Sequence, residues 1–339
     1  MKSLKLTRAF PAPIENYSHA YKSLFHHSVK ILKRHEYRVK PEPISGDAPK
    51  DFLRVYEYGR CIKNNPKNWI GYIAKVRHKW YPIESVTEHL ITRLGQVWGF
   101  EMASSKLYIV AGQLRFCSEF FLKKEQELVH GADILSRHLR ETDNSLIELI
   151  DKKGWSQELL SFQFVKAAVS EVFPLQRNEL CRKLVDLLLF DAIVGNNDRH
   201  FFNWGVVRHL KGNHTPYFSP IYDSARGLFW NYADRNLLPL LQDANRASAF
   251  FEKYHKNSQP KIGWEGDKII NHYQLIERLV IHNECGFERA RSLFSFENIA
   301  IAQRILQEEF SDLFSKARID LILRYLDYRF HEFNKLLNN

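Results

Sequence analysis

The sequence predicts an α+β protein built in two lobes, a small strand-rich first half and a larger, mostly helical second half. Three observations carry this. Short apolar runs rich in β-branched and aromatic residues cluster between about residues 50 and 122. After about residue 145 apolar side chains recur at steps of three and four. A chain of 339 residues is long enough for about two domains with a real interior. Hydrophobic residues make up 45% and charged residues 26%, which excludes disordered and collagen-like classes.

Residues 1–40 form a basic arm, with nine Lys and Arg against Glu15 and Glu36, a local excess of +7 out of +10 for the whole chain. Tyr21, Leu24, Phe25, Leu32 and His35 fall at roughly helical spacing, so residues 16–37 are predicted to form an amphipathic basic helix. Nucleic-acid binding is only weakly suggested and would rest on this arm, because the remainder is nearly charge-balanced. Residues 41–122 are the expected strand-rich lobe. PEPISGDAPK (41–50) carries three prolines and reads as a loop. FLRVYEY and WIGYIAKV read as strands, ESVTEHLITRLGQVWGF as a helix, and KLYIVAG and QLRFCSEFF as two more strands meeting near Ala111 and Gly112. Residues 123–339 are the expected helical lobe. A helix over 155–173 precedes a stronger one in ELCRKLVDLLLFDAIVG, which Gly195 terminates. Strand-like NWGVV and YFSPIYD follow, and the last seventy residues or so return to helical periodicity.

Cys61, Cys117, Cys181 and Cys285 are widely spaced, with no CxxC pair and no Cys/His cluster at zinc spacing, so they read as buried thiols in a reducing compartment. The N-terminus lacks the apolar core of a secretory signal, and no run approaches the ~18 apolar residues of a membrane helix. A cytoplasmic location without a transmembrane segment is expected, with export as an effector left open.

The chemistry-bearing stretches are GNNDRHFFNWGVV (195–207) and SPIYDSARGLFWN (219–231). In the first, a helix end delivers Asp198, Arg199 and His200 into a loop, with Asn203 five residues after Asp198. In the second, a strand is expected to end at Tyr222 and present Asp223 at its tip. Phosphoryl transfer needs such a kit: a carboxylate to orient the attacking hydroxyl and oxygen ligands for magnesium on the nucleotide phosphates. Asp and Asn are also ordinary turn formers, so either loop alone would be weak evidence.

NNDRHFFNWGVV and PIYDSARGL resemble the catalytic and metal segments of the HipA-like serine/threonine kinases. Upstream, ISGDAPKDFLRV resembles that family's phosphate loop, IAKV with TEHLITRLGQVWGFEMA its strand lysine and following helix, and SEFFLKKEQELVHG the segment where its lobes meet. The resemblance implies a two-lobed protein-kinase-like fold and an ATP- and magnesium-dependent serine/threonine protein kinase, of the short form lacking the extra N-terminal subdomain. It implies Asp198 as the carboxylate accepting the hydroxyl proton, with His200 positioning the loop, and Asn203 and Asp223 as magnesium ligands. Lys75 would contact the nucleotide phosphates and Glu88 orient it. Glu119 and Phe121 would lie beside adenine, while Ser45, Gly46 and Lys50 would form the phosphate loop. Ser45 would be the site of a self-silencing autophosphorylation. Ala48 departs from the glutamine usual in that loop.

Other readings of these residues stay open. Lys75 also fits a solvated strand lysine, Glu119 and Phe121 ordinary strand packing, and His200 a histidine satisfied by the backbone. The family further implies an unidentified protein substrate, a toxin or effector role and an antitoxin partner. A lipid or small-molecule acceptor, or a non-catalytic nucleotide- or nucleic-acid-binding module, are the alternatives.

Overall fold

The computed structural model describes residues 29–40, 50–76 and 83–338. Ser45 and Gly46, and most of the basic arm, lie outside them. The smaller lobe is a six-stranded sheet of β1 (Lys30–Leu32), β2 (Tyr37–Lys40), β3 (Lys50–Val55), β4 (Ile70–Val76), β5 (Ser105–Val110) and β6 (Gln113–Glu119), in the order β1-β5-β6-β4-β3-β2. The β1–β5 pair is parallel and the others are antiparallel. Helix α1 (Glu84–Val97) packs on β5 and β6 through Val86, Leu90, Ile91 and Leu94, an apolar face at helical spacing.

The helical expectation for residues 16–37 fails over its described part. Lys33–Glu36 is a turn closed by the Glu36 N–H on Lys33 O at 2.8 Å, and Glu36 Oε2 accepts the Lys33 N–H at 2.8 Å. Leu32 and Tyr37 bury in the sheet while Ile31 faces out, the alternation of strands rather than a helical stripe. Of the charges that imitated a polar helix face, Lys33 and Arg34 occupy the turn and Lys30 lies in β1, while Lys22 and His26 fall outside the described residues.

The larger lobe contains α2 (Gly131–His138), α3 (Ser145–Lys152), α4 (Ser156–Leu159), α5 (Phe162–Val172), α6 (Arg177–Val194), α7 (Asp234–Leu241), α8 (Ala244–Lys256), α9 (His272–Ile281), α10 (Phe287–Leu293), α11 (Phe296–Glu308) and α12 (Lys316–Asn338). A small sheet of β7 (Gln126–His130), β8 (Gly205–His209) and β9 (Tyr217–Phe218) accompanies them. The helix expected over 155–173 divides at Ser161, whose hydroxyl caps α5 by accepting the Phe164 N–H at 3.2 Å. Helix α6 is buried nearly all round from Leu184 to Val194, as befits the central helix of the lobe. The strand expected to end at Tyr222 is only β9. Pro220 lacks an N–H, and beyond it Ile221 bonds residues 101 and 103, so Asp223 sits on a loop rather than a strand tip. Cys117, Cys181 and Cys285 are buried as expected, but Cys61 is only half-buried. No described helix is long and apolar enough to cross a membrane.

Candidate active site

Helix α6 ends at Gly195, whose left-handed φ of +69° turns the chain sharply into the loop 196–203. Arg199 holds that loop from beneath. Its Nε and Nη2 donate to the two oxygens of Asp191 at 2.8 and 2.9 Å, its Nη1 to the carbonyls of Asn203 (3.0 Å) and Tyr222, and its Nη2 to Ser224 Oγ at 2.7 Å. One buried guanidinium therefore joins the end of α6 to both candidate segments. Asn196 Nδ2 also donates to Asp191 Oδ1 at 2.9 Å, and its carbonyl accepts the Nε2–H of His272 at 2.9 Å.

Above this lock stand Asp198, His200 and Asn203. Asn203 Nδ2 donates to the Asp198 carbonyl at 2.9 Å, which fixes the amide so that Oδ1 points the other way. Burial raises the Asp198 carboxyl, with His200 and Arg226 pulling it down, and burial lowers the His200 imidazole against the attraction of Asp198. His200 Nδ1 accepts the Phe202 N–H at 3.3 Å, as a neutral ring does. The Asp223 charge adds a small upward push on the Asp198 carboxyl, and Arg199 ties the two segments that carry them through the carbonyls of Asn203 and Tyr222.

Asp223 itself adopts φ +54°, a left-handed conformation uncommon outside glycine and tolerated best by Asp and Asn. Its Oδ1 accepts from Lys75 Nζ at 2.7 Å, and its Oδ2 lies 3.7 Å from Lys50 Nζ. Lys50 and Lys75 are directly opposed on β3 and β4, a pairing of like charges that is unfavourable until an anion lies between them. Asp223 is that anion. Lys75 also donates to Glu88 Oε1 on α1 at 2.7 Å. Burial favours the neutral amine of Lys75, but Asp223 and Glu88 outweigh it and hold the ammonium above the usual lysine range. Burial would raise the Asp223 carboxyl, yet Lys75 and Lys50 keep it well below the usual range. Glu88 is pushed up to about 7 by burial, which Lys75 only partly offsets and the Asp223 charge reinforces.

The remaining predicted residues divide. The Phe121 ring lies 5.7 Å from that of Tyr222, next to Asp223. The Glu119 carboxylate turns elsewhere: it pairs with Arg60 at 2.8 Å and lines a separate cleft with His89, Arg93 and Lys106. Any contact of Glu119 with a base would thus be through its backbone. Lys50 reaches the site, whereas Ser45 and Gly46 lie outside the described residues. Sequence reasoning missed Asp191 and Arg226. A lone carboxylate inside the apolar run LLLFDAIVG was the available signal for Asp191.

Among the described residues no three or more His, Cys, Asp or Glu side chains converge as a preformed metal cage. The Asp223 carboxylate and the Asn203 amide are oxygen donors of the type magnesium takes, and magnesium commonly draws only one or two ligands from protein.

A sequence model of the HipA-like C-terminal domain matches residues 43–280, well over half of the chain. The chain belongs to the HipA-like kinase family. Among solved structures, this HipA-like chain is similar to the Helicobacter pylori proinflammatory kinase CtkA at 15% identity, over 91% of this chain and 96% of that one, with a TM-score of 0.71. That likeness establishes the two-lobed, kinase-like fold. The HipA of Shewanella oneidensis MR-1, solved with HipB and operator DNA, aligns at 12% identity over 93% of this chain and 70% of that one, with a TM-score of 0.46. No curated protein matches the chain.

Proposed function

We propose that this HipA-like protein is an ATP- and magnesium-dependent protein kinase that phosphorylates serine or threonine. The observation that carries the reading is the Glu88–Lys75–Asp223 chain, with contacts of 2.7 Å on both sides of the lysine, and Asp223 stands on a segment that Arg199 ties to the loop of Asp198. Lys75 and Lys50 are the cations that would hold the nucleotide phosphates, with Glu88 keeping Lys75 oriented when its bond to Asp223 is exchanged for phosphate. Asp198 would accept the proton of the attacking hydroxyl, within a loop whose geometry Arg199 fixes. Asp223 and Asn203 Oδ1 would hold magnesium, which neutralises charge on the phosphates when bound. Positioning and fixed electrostatics would supply most of the acceleration.

Ser45 is the proposed regulatory site. A phosphate adds about −1.5 to −2 charge, and five residues before Lys50 it would compete with ATP for the lysines. Incubation with magnesium and γ-labelled ATP, followed by mass spectrometry of the protein, tests both ideas. Magnesium-dependent label on serine or threonine is expected, with Ser45 among the sites. Absence of any transfer, to the protein itself or to added protein acceptors, contradicts the kinase; label that spares Ser45 contradicts the self-silencing alone.

A further inference from the structure

Glu84 and Glu88 stand one turn apart on α1, so their carboxylates share a face of the helix. Each meets a cation that also meets a carboxylate of the candidate site. Lys75 joins Glu88 to Asp223. Arg226 joins Glu84 to Asp198, its Nε lying 3.8 Å from Glu84 Oε1 and 3.6 Å from Asp198 Oδ2.

The position of Arg226 is set by its surroundings. Its guanidinium carbon lies 3.9 Å from the centre of the Trp230 ring. Its carbonyl accepts the Asn197 N–H at 3.4 Å, and the Leu228 N–H donates to Val194 O at 3.1 Å. Between these bonds Gly227 is wedged so tightly that a Cβ there would fall 2.6 Å from Val194 O and 3.2 Å from Ile91 Cδ1 of α1. The segment is therefore pressed between the end of α6 and α1. An arginine suits the place, because its planar fork stacks on an aromatic face and stays charged.

We propose that Glu84–Arg226–Asp198 is a second carboxylate–cation–carboxylate bridge, and that Arg226 is a positioning residue tying the placement of α1 to that of the proton-accepting carboxylate. The proposal rests on the phosphoryl-transfer reading for its kinetic consequence, but not for its structural one. Ion pairs of 3.6–3.8 Å with a partly exposed arginine stabilise a fold little, so the contribution of Arg226 is to geometry. Losing it leaves the Lys75 bridge in place. The grip on ATP then persists while the catalytic loop loses its tie to α1.

The test compares wild type, Arg226→Gln, Arg226→Lys, Glu84→Gln and the double variant Arg226→Gln/Glu84→Gln. Steady-state transfer from ATP to dephosphorylated casein is measured beside amide hydrogen exchange of residues 84–91 and 196–200. For Arg226→Gln we expect kcat to fall by about ten- to a hundredfold, the scale of a misplaced reacting group. KM for ATP and the melting temperature should be unchanged, and both segments should exchange faster. Arg226→Lys should recover part of kcat, and the double variant should be no worse than Arg226→Gln. Unchanged kcat and exchange in Arg226→Gln, or additive losses in the double variant, would overturn the bridge. Should Arg226→Gln fail to fold, Glu84→Gln against wild type decides by the same readouts. If wild type transfers no phosphate, the kinase reading fails and the exchange data alone judge the bridge.

Discussion

Arg199 and Lys75 are both buried cations held by carboxylates, but the two surroundings differ in kind. Arg199 meets one carboxylate, Asp191, and otherwise neutral oxygens, with both partners almost wholly buried. Its charge is matched and its donors are spent. Lys75 meets two carboxylates, one of them shared with Lys50, and the Asp223 side chain keeps 26% of its surface exposed. The first arrangement is a lock that fixes the loop. The second can exchange one anion for another, as a phosphate-binding site must.

Breaking the lock should have the largest effect. Arg199→Met strands Asp191 as an uncompensated buried charge, and loss of about 3–5 kcal/mol is expected in urea unfolding. A loss below about 1 kcal/mol would mean that the two regions do not differ as described.

Asp223→Asn tests the other side. Transfer should fall by about 10²–10³, the usual worth of a positioned electrostatic group, and the magnesium requirement should weaken. The melting temperature should fall, though less than for Arg199→Met, because Lys50 and Lys75 lose the anion between them while Lys75 keeps Glu88. A large loss of stability with activity retained per folded molecule would reverse the assignment of lock and site.

The smallest effects are in proton linkage, where the regions should have opposite signs. His272, behind the lock, is pushed down to about 3 by burial and the nearby Arg329, from 6.5. The unfolded chain then binds the extra proton, and stability is lost as pH falls through 6.5 towards 3. Glu88 is pushed up from 4.5 to about 7, so the folded chain holds the extra proton and stability is lost as pH rises across that interval. His272→Gln should flatten the acid-side slope and Glu88→Gln the slope above 4.5, in unfolding measured across pH. Slopes that both variants leave unaltered would contradict these shifts.

The legible parts of the sequence were those in which a local pattern and its tertiary role coincide. The alternating runs of β3 to β6, the apolar stripe of α1, and α6 closed by Gly195 could all be read from spacing. The grouping of Lys50, Lys75, Glu88, Asp198, Asn203 and Asp223 was not legible from spacing and came from the family resemblance, because lysines on strands and Asp or Asn in loops are also ordinary surface and turn residues. The contacts of Lys50 and Lys75 with Asp223 and of Lys75 with Glu88 appear only in the folded chain. What failed depended on distant partners. The basic residues before Lys40 imitate a helix face, and only pairing with β5 and β3 makes β1 and β2 strands. QELVH, five residues long, carries too little alternation to announce β7, which exists because β8 lies beside it. Nothing near Glu119 in sequence signals Arg60, 59 positions away, which turns its carboxylate from the site. Arg226 is likewise invisible until α1 folds against the segment that carries it.

The most direct measurement is phosphoryl transfer by Asp198→Asn beside wild type, with magnesium and labelled ATP and with the melting curve of each protein recorded. The half-exposed carboxylate stabilises little, so the account predicts a rate lower by about 10²–10⁴ in a protein that melts as wild type does. A variant that folds normally and transfers phosphate at the wild-type rate would contradict it.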